Sequence, residues 1–468
     1  MNKRIYFNAF HMNCVVHQSP GLWAHPDDQM HQYTDLHTWV ELAKLLERGK
    51  FDALFLADVV GVYDVYHGNR NAAVTQAAQI PVNDPVMLVP AMAHATEHLG
   101  FAFTSSVLQN YPFAFARTIS TLDHLTKGRV AWNIVASYLE SGGRSFGHTG
   151  LPSHDERYDM ADEYLEVCYK LWEASWEDDA VLLDRRHGRY ADPAKVHDIH
   201  HEGKYFSSHG CHLSEPSPQR TPVLYQAGAS PRGRQFAAQH AECVFVSGPR
   251  PQVVGQYIHD TRAQARQWGR NPEDVLFFMY AKVITGGTEA EARKKYNDFL
   301  EQVNYEGALA LLSGWGGIDF GQFAPDQPLE YVETNAVRTL MQGFAQAEAG
   351  HKWTVRDLAR FVGIGGGGPV FVGAPEQIVE TFQEWMQVGV DGFNIAYAIT
   401  PGSYVDFIEG VVPVLQKRGL MQEDYAEGTL REKLFGKGQA RLLDRHPASR
   451  YRRAWTEHSD KDSQARVP

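Results

Sequence analysis

One stretch of the chain, residues 221–241, has the residue types of a phosphate-binding turn between a strand and a helix. It reads TPVLYQAGASPRGRQFAAQHA, in which a short apolar strand is followed by the small residues Gly228, Ala229 and Ser230. Ser230 is a favoured N-cap residue and Pro231 suits a first helical position, so a helix is predicted to begin there. The free N–H groups and the positive dipole end of such a helix bind anions. An ordinary capped helix without a ligand is the alternative, and the pattern alone leaves both interpretations open.

Two arginines stand at the start of this predicted helix. Arg232 and Arg234 carry charges that would neutralise a bound phosphate. They could instead face away from it, and binding would then depend on Ser230 and the backbone N–H groups.

Polar side chains also stand in or near the ends of the first four predicted strands. They are Asn8, His11, Asp58, Thr104, Ser105, Ser106, Asn133, Ser137 and Tyr138. A buried polar group destabilises a fold unless it is paired, so several together indicate a polar ligand. The alternative is that these groups hydrogen-bond to one another or cap the helices that follow.

For three further motifs the simpler of two interpretations is favoured. The HDIHH run at His197–His201 could bind a metal, but a polar loop with titrating imidazoles is favoured and no metal site is predicted. Gly365–Gly368 lacks the Gly-Lys-Ser/Thr of a P-loop and is interpreted as a lid or hinge. Cys14 has no His and Asn partners that the sequence can assemble, so it is interpreted as a thiol that lines a pocket.

Charge and cysteine content exclude several classes of protein. The formal net charge is −12, from 44 Lys and Arg against 56 Asp and Glu, which disfavours nucleic acid or an anionic membrane as a partner. The four cysteines lack CxxC spacing, as is usual in a reducing cytoplasm. The N-terminus lacks the apolar core of a signal peptide and no apolar run reaches ~18 residues, so a cytoplasmic location is predicted.

Eight apolar segments, each followed by a helical pattern, indicate an α/β fold of the TIM-type (β/α)8 barrel class. The strands are predicted at Ile5–Phe10, Ala53–Val60, Leu99–Ser106, Arg129–Ser137, Val223–Gly228, Cys243–Gly248, Val275–Thr285 and Gly392–Ala398. The helices are predicted at Thr34–Arg48, 84–98 with a kink at Pro90, Phe113–Lys127, Asp155–Trp172, 231–238, Gln252–Trp268, Pro375–Val388 and Tyr404–Arg418. A doubly wound sheet seldom needs eight such units.

Residues 1–420 are predicted to form this single barrel, with insertions at about 138–154, 177–220 and 289–373. Insertions are expected over the C-terminal face of the barrel, where barrel sites lie. The largest insertion is predicted to contain helices at Ala290–Val303 and near Asn335–Ala349, and 311–368 is expected to cover the site. Residues 421–468 are predicted to form an arm that packs on the barrel or on a partner subunit, with a disordered end.

Long, ordered motifs resemble those of the bacterial-luciferase-like flavin monooxygenases. They are FLADVV, STLDHLTKGRVAWNIVASY, HDERYDMADEYLEVCYKLWEASWEDDAV, GKYFSSHGCHLSEPSPQRTPVLYQAGASPRGRQFAA and TPGSYVDFIEGVVPVLQKRG. More narrowly, the chain resembles the large components of two-component FMNH2-dependent monooxygenases. The likeness runs from about Arg4 to Arg453, which is nearly the whole chain.

The resemblance implies a barrel that binds reduced FMN, made by a separate NAD(P)H-dependent flavin reductase, and transfers one oxygen atom of O2 to a substrate. The flavin ring is then expected near Asp58, Thr104, Ser106, Asn133 and Tyr138. The phosphate is expected with Arg157, Tyr158, Gly228, Ala229 and Ser230. A non-proline cis peptide bond within Thr104–Ser106, and assembly as a homodimer or homotetramer, are also expected.

The resemblance is strongest to the dimethylsulfide and long-chain-alkane branch, through NAFHMNCVVHQSPGLW, DVVGVYDVY and QIPVNDP. It implies a substrate pocket lined by Cys14, His17, Tyr63, Gln79 and Leu311. The alkane enzymes carry histidines where this chain has Tyr138 and Leu311, which disfavours alkanes. GWGGIDF and KWTVRDLARFVGIGGGGPVFVG resemble the dimethylsulfide type, which would oxidise a methyl group next to sulfur and release an aldehyde and a thiol.

The candidate catalytic residues implied by the resemblance are His17, Tyr63 and Tyr138. His17 or Tyr63 could donate a proton to the departing oxygen or to the product, or these side chains could only shape the pocket. Alternative substrates are a long-chain alkane or a sulfone or heterocycle. Alternative functions on the same barrel are a deazaflavin-dependent dehydrogenase and a non-catalytic flavin-binding protein.

Overall fold

Parallel strands form the centre of the molecule in the computed structural model, which describes residues 3–328 and 353–453. The strands are β1 (Tyr6–Met12), β2 (Ala53–Ala57), β3 (Gly100–Ser106), β4 (Val130–Val135), β5 (Val181–Asp184), β6 (Arg189–Ala191), β7 (Ile199–Glu202), β8 (Ser207–Gly210), β9 (Val223–Gln226), β10 (Cys243–Val246), β11 (Leu276–Thr285), β12 (Val370–Gly373) and β13 (Gly392–Ala396). Eight of them run in the order β10-β9-β4-β3-β2-β1-β13-β11, and pairing of β11 with β10 closes the ring. The predicted TIM-type barrel is therefore confirmed.

Helices surround the barrel, and several of them begin at a residue whose side chain caps the first turn. They are α1 (Leu36–Arg48), α2 (Asn71–Thr75), α3 (Val89–His94), α4 (Pro112–Leu125), α5 (Glu140–Ser145), α6 (His154–Tyr169), α7 (Pro231–His240), α8 (Pro251–Gln267), α9 (Glu289–Gln302), α10 (Tyr305–Gly316), α11 (Val355–Gly365), α12 (Pro375–Gln387), α13 (Gly402–Asp406), α14 (Val412–Lys417) and α15 (Leu430–Phe435). At the start of α1, for example, Asp35 accepts a hydrogen bond from the N–H of His37 at 2.9 Å.

The helix predicted near Asn335–Ala349 lies outside the described residues. No helix in the described ranges combines the length and the apolar character that crossing a bilayer requires.

Prolines accompany local changes of helix type in two of the predicted helices. The helix expected over 84–98 is a 3-10 turn at Pro85–Leu88 followed by α3, whose first turn contains Pro90. The helix expected at Tyr404–Arg418 is observed as one unbroken helical run, from α13 through a π-helical turn at Phe407–Val411 into α14, with Pro413 just after that turn. Proline lacks an N–H and its ring clashes with the preceding turn, so a helix accommodates it in a first turn or after a turn that is locally wider. The change of helix type next to Pro90 fits the predicted kink, and the helix predicted at Tyr404–Arg418 is confirmed, with a π-helical turn before Pro413.

The strand end at Thr104–Ser106 has regular backbone pairing. These three residues pair in parallel register with Asn133, Ile134 and Val135 of β4. The cis peptide bonds among the described residues are Ile80–Pro81 and Thr400–Pro401. The expected non-proline cis bond is therefore wrong, because an uninterrupted ladder holds this segment extended.

The three insertions leave the barrel at different places. Residues 138–154 follow β4 and contain α5, whereas 289–373 follow β11 and contain α9, α10, α11 and β12. Residues 177–220 follow helix α6 and form two antiparallel hairpins, β5–β6 and β7–β8. This segment packs beside α4 and α6. The Glu163 carboxylate on α6 accepts from the N–H of Phe206 at 2.7 Å, and Ser120 on α4 lies 2.9 Å from His212 Nε2.

Side chains that point into the barrel form an apolar layer of their own. It includes Phe10, Phe55, Tyr225, Phe278 and Tyr280, and Leu430 and Leu434 of α15 pack against it. Gly100, the first residue of β3, has no room for a side chain because a Cβ there would lie 2.7 Å from Leu430. Helix α15, in the C-terminal segment, therefore closes the amino-terminal end of the barrel.

A buried ion pair attaches α15 to the barrel. The Arg431 guanidinium is 1% exposed and donates to the Glu242 carboxylate at 2.7 and 2.9 Å. It also donates to the carbonyl oxygens of Thr221 and Pro222 at 2.9 and 2.8 Å. Such charge-assisted bonds are strong, and removing one partner leaves a buried charge without compensation.

We expect Arg431→Met to destabilise the protein, because it leaves Glu242 buried without its counter-ion. Loss of one partner of a buried pair costs ~3–5 kcal/mol, which corresponds to a fall of roughly 5 °C or more in the unfolding midpoint. Differential scanning calorimetry measures this. Arg441→Met, which removes a more exposed pair with Asp178, is the matched control and should shift the midpoint little. Equal midpoints for the two variants would contradict the structural role given to Arg431.

Candidate active site

A cavity of about 470 Å³ opens at the carboxyl ends of the barrel strands. Its wall includes every residue that the sequence assigned to the cofactor, namely Asp58, Thr104, Ser106, Asn133, Tyr138, Arg157, Tyr158, Gly228, Ala229 and Ser230. They come from the ends of β2, β3, β4 and β9 and from the first turn of α6. A parallel barrel places all its strand ends on one face, so residues far apart in the sequence meet here.

The turn before α7 forms one end of the cavity. Ser230 is the N-cap of α7, and its Oγ accepts from the N–H of Gly233 at 2.9 Å. A Cβ at Gly228 would lie 2.3 Å from Gln226 Nε2 and 2.5 Å from Tyr158 OH, so only glycine fits there. First-turn N–H groups have no carbonyl partner within their helix, and this end of the cavity therefore suits an anion.

The two arginines of α7 do not belong to the cavity wall. Arg232 pairs with Asp159 at 3.0 Å and with Asp162, and Arg234 lies 3.8 Å from Asp260. Of the two interpretations of the sequence, the one in which these arginines face away is confirmed.

Arg157 places a positive charge in the cavity wall, at the same end of the cavity as the start of α7. Its Nη1 donates to the Pro152 carbonyl at 2.7 Å, and its buried Nε has no hydrogen-bond partner among the described residues. Burial lowers the pKa of Arg157, but a guanidinium remains charged at neutral pH. A guanidinium with unused donors beside a helix start complements a phosphate.

Two buried amide oxygens in the wall lack a partner in the described structure. Asn133 Nδ2 donates to Thr104 Oγ1 at 2.9 Å, which leaves Asn133 Oδ1 without a donor. Gln226 Nε2 lies 3.4 Å from Tyr158 OH, and Gln226 Oε1 is likewise unpaired. Buried acceptors of this kind are normally satisfied, so both mark places where a ligand can donate hydrogen bonds.

The Asp58 carboxyl is held by a side chain that the sequence analysis did not single out. Gln109 Oε1 accepts from the N–H of Ser106 at 2.6 Å and from Ser105 Oγ at 3.0 Å, which fixes the orientation of its amide. The amide nitrogen then donates to Asp58 Oδ2 at 3.3 Å. Burial raises the pKa of Asp58 to about 6, and the Gln109 hydrogen bond opposes that rise. Asp58 therefore changes its charge near pH 6 inside the cavity wall.

On the other side of the cavity, the Tyr63 hydroxyl is the centre of a hydrogen-bond cluster. It donates to Gln79 Oε1 at 2.9 Å, lies 2.5 Å from the Tyr138 hydroxyl, and accepts from Trp315 Nε1 at 3.1 Å. Because its own proton is directed to Gln79, it also accepts from Tyr138. We call Tyr63, Gln79, Tyr138 and Trp315 the Tyr63 cluster. Burial raises the pKa of Tyr63 well above its usual value and that of Tyr138 to about 12, so both phenols stay protonated at neutral pH.

His17 adjoins this cluster and lines the cavity. Its carbonyl oxygen accepts from Gln79 Nε2 at 2.6 Å, and its ring meets Phe10 edge-on with centroids 4.5 Å apart. Burial lowers the pKa of His17 well below its usual range, so the imidazole is neutral near pH 7. A neutral imidazole can hydrogen-bond to a ligand but does not carry the extra proton of an imidazolium.

The remaining expected pocket residues differ in position. Gln79 and Tyr138 line the cavity, and Tyr138 as a whole residue is 42% exposed although its hydroxyl is held against Tyr63. Cys14 is fully buried behind the wall, where its Sγ lies 3.2 Å from the Val16 carbonyl and burial raises the pKa of its thiol. Tyr63 and Leu311 are also behind the wall, in an apolar cluster that contains α10 and α11. For Cys14 and Leu311, direct contact with a substrate stays a prediction.

Sequence reasoning missed Trp315 and the glycine that precedes it. A Cβ at Gly314 would lie 2.2 Å from Tyr63 Cδ1, so glycine lets the Tyr63 ring pack directly on α10. Trp315, the next residue, lines the cavity and reaches the Tyr63 hydroxyl. The only available signal was the Gly-Trp-Gly-Gly run, which resembled the dimethylsulfide type without indicating a contact.

Other polar residues of the sequence analysis stay outside the cavity wall. Asn8 is buried in the barrel and donates to Asn394 Oδ1 at 3.0 Å, and His11 lies 3.1 Å from Thr400 Oγ1. These two fit the alternative in which polar groups bond to one another. The glycine run Gly365–Gly368 begins at the last residue of α11, and Gly367 forms part of the wall.

Comparison with known proteins adds an independent observation. The profile of the family described as luciferase-like monooxygenase matches residues 11–392. Dimethyl-sulfide monooxygenase of Hyphomicrobium sulfonivorans is 51% identical to this chain over 97% of it and 95% of the relative. Long-chain alkane monooxygenase of Geobacillus thermodenitrificans is also 51% identical, over 97% and 99%. The crystal structure of DmoA from Hyphomicrobium sulfonivorans has a TM-score of 0.93 at 50% identity and covers 97% of both chains.

We expect Gln109→Leu to raise the pKa of Asp58 above its value of about 6, because it removes the donor that favours the carboxylate. The affinity for FMN, the cofactor expected from the sequence, should then change with pH at a higher midpoint than in the natural protein. Quenching of flavin fluorescence between pH 5 and 8 measures this.

Asp58→Asn is the control, since it should abolish the step that Asp58 causes. An unchanged midpoint in Gln109→Leu, with the step still absent from Asp58→Asn, would contradict the role given to Gln109.

Proposed function

Because the chain belongs to the luciferase-like monooxygenase family, we propose that it is the FMNH2-dependent component of a two-component system that oxidises a small dialkyl sulfide. Membership of that family makes it an oxidoreductase that uses a reduced flavin and O2. A flavin reductase is the partner that such an enzyme requires. The observation that carries the proposal is that one cavity wall contains all ten predicted cofactor residues together with His17, Gln79 and Trp315.

The cavity residues fit a flavin that carries a phosphate. Ser230 and the start of α7 offer N–H groups, and Arg157 offers a positive charge at the same end. The unpaired oxygens of Asn133 and Gln226 fit the donor groups of a flavin ring and its side chain. Riboflavin has no phosphate and would leave the anion-binding start of α7 without a partner. This supports FMN as the cofactor.

When bound, reduced FMN supplies two electrons to O2, so that one oxygen atom can enter the substrate and the other can leave as water. The protein's contribution is to orient the reactants and exclude water. Phe10, Phe55 and Phe245 form an apolar floor to the cavity, which limits access of water to the reaction.

The Tyr63 cluster fixes a phenolic hydroxyl in the cavity wall. Tyr138 lies in that wall and directs its proton to Tyr63, so it presents its oxygen lone pairs to the cavity, whereas Tyr63 reaches the cavity through Gln79, Tyr138 and Trp315. In this proposal Tyr138 contacts the substrate side of the cofactor, and Tyr63 acts as a positioning residue that fixes the Tyr138 hydroxyl. His17 acts as a neutral hydrogen-bonding group.

The choice of a sulfide over an alkane depends on the pocket residues. The dimethyl-sulfide and alkane relatives are equally similar at 51% identity, so identity does not distinguish their substrates. Tyr138 and Leu311 stand where the alkane type is expected to carry histidines, and a cavity of about 470 Å³ that also holds the flavin supports a small substrate. Dimethyl sulfide, O2 and reduced FMN would give methanethiol, formaldehyde, oxidised FMN and water.

Assembly as a homodimer or homotetramer and a cytoplasmic location stay predictions.

Turnover under air with FMN, NADH and a flavin reductase tests the proposed reaction. We expect dimethyl sulfide to give methanethiol and formaldehyde in equal amounts, measured by gas chromatography and by a colorimetric aldehyde assay. Reductase without this chain is the control for products of free reduced flavin. An alcohol from a long-chain alkane, with no thiol from the sulfide, would favour the alkane alternative. No oxygenated product from any sulfide, alkane or sulfone would contradict an oxygenase.

Tyr63→Phe tests the positioning role, since it removes the hydroxyl that joins Gln79, Tyr138 and Trp315. We expect turnover to fall by about 10- to 100-fold, because Tyr138 loses the acceptor that fixes its hydroxyl and a misplaced group in the site can cost ~10²-fold in rate. FMN affinity should stay unchanged, which separates this effect from a folding defect. Tyr66→Phe, at a neighbouring buried tyrosine outside the cavity wall, is the control. Unchanged turnover in Tyr63→Phe would remove Tyr63 from the mechanism.

A further inference from the structure

Two histidines face each other across the β7–β8 hairpin, outside the barrel. His200 and His209 are directly opposed in the antiparallel register. Their Nδ1 atoms lie 2.8 Å apart, and the ring centroids are 4.3 Å apart. Side chains of opposed residues project from the same face of a hairpin, so the backbone register fixes this approach.

A carboxylate sets the protonation of one of these rings. Glu202 Oε1 lies 2.6 Å from His209 Nε2, on the side of the ring away from His200. A carboxylate accepts, so Nε2 carries the proton of neutral His209 and Nδ1 presents a lone pair to His200. A carboxylate behind an imidazole is the arrangement that orients metal-binding histidines and raises their basicity.

The distance between the two nitrogens suits a shared cation. With metal–nitrogen bonds of ~2.0–2.1 Å, two ligands at right angles lie about 3 Å apart. The observed 2.8 Å is close to that separation, so small rotations of the two rings would open the site. In the metal-free hairpin His200 Nδ1 carries the proton that it donates to His209 Nδ1, and on metal binding His200 would take the tautomer with its proton on Nε2 and offer Nδ1 to the metal.

The surroundings leave room for the water ligands that such a site needs. All three side chains are exposed, with 46% of the His209 side chain and 63% of the Glu202 side chain accessible. His201 points to the opposite face of β7, where it is buried and lies 3.3 Å from Glu163 Oε1. His197 lies 2.9 Å from Glu177 Oε1. The HDIHH run is thus divided among three environments, and only His200 joins His209.

We propose that the β7–β8 hairpin binds one divalent late-transition-metal ion through Nδ1 of His200 and Nδ1 of His209, with Glu202 as the residue that positions His209. Imidazole nitrogens select Ni²⁺, Cu²⁺ and Zn²⁺ over Mg²⁺ and Ca²⁺. An occupied site would link the two strands of the hairpin. None of the three residues belongs to the cavity wall, so this inference is independent of the proposed function.

Calorimetric titration of the full chain with Ni²⁺ tests the proposal, after removal of any affinity tag and in a buffer that does not bind metal. We expect one saturable equivalent in the natural protein. His200→Ala and His209→Ala should each weaken this binding at least tenfold. Glu202→Gln should weaken it less, by about tenfold, as is typical for a residue that orients a ligand.

His187→Ala is the matched control. His187 Nδ1 lies 2.8 Å from Asp184 on the neighbouring β5–β6 hairpin, and it has no opposed histidine across that hairpin. Affinity retained in His187→Ala and lost in both other histidine variants would support the site. Absence of saturable binding, or affinity within twofold of the natural protein in either His200→Ala or His209→Ala, would overturn it. Natural affinity in Glu202→Gln would overturn the part given to Glu202.

Discussion

Closure of the barrel is the constraint on which the rest of the structure depends. Strand β11 pairs with β10 through its first residues, with β13 through its middle and with β12 through its last residues. Because the eight strands are parallel and form a ring, no barrel edge is free and all carboxyl ends share one face. Asp58, Asn133 and Gln226 meet there although long helical segments separate them in the sequence. The positions of these three residues therefore follow from barrel closure and do not depend on the detailed conformation of the segments between them.

The hydroxyl oxygen of Tyr63 joins those parts of the cavity wall whose positions are not determined by barrel closure alone. Tyr63 follows β2, Tyr138 follows β4 and Trp315 belongs to α10, and their polar atoms meet at the Tyr63 hydroxyl. Gln79 accepts from this hydroxyl and donates to the His17 carbonyl, and it therefore links the hydroxyl to the loop that carries His17. An oxygen that accepts two hydrogen bonds and donates one is fully satisfied, so the arrangement exists before a ligand arrives. Pre-organisation of this kind lowers the cost of orienting reactants.

The sequence predicted features that depend on local pattern and failed where distant segments determine a contact. Apolar runs and capping residues located the eight strands and the start of α7, and resemblance assigned ten residues that share one wall. Trp315 was missed because it contacts a tyrosine 252 positions away. Gln109 was missed because its role depends on a turn that returns its amide to Ser106 and Asp58. The approach of His200 to His209 depends on hairpin register, which the HDIHH run does not contain. Pro90 was recognised as the site of a kink, whereas the π-helical turn before Pro413 was not anticipated, although the same steric rule acts on both.

The pairing of the first strand with the last has a consequence for synthesis of the chain. Residues 6–10 of β1 pair with 392–396 of β13, and α15 follows only at Leu430–Phe435. At ~5–20 residues per second, the ribosome would need roughly 20–80 s to make the partner of a strand that it produced first. Through that interval both outer strands of the growing sheet expose unpaired backbone groups, which other chains can bind. Chaperone protection of the nascent chain, rather than the stability of the finished barrel, would then set how much enzyme a cell obtains.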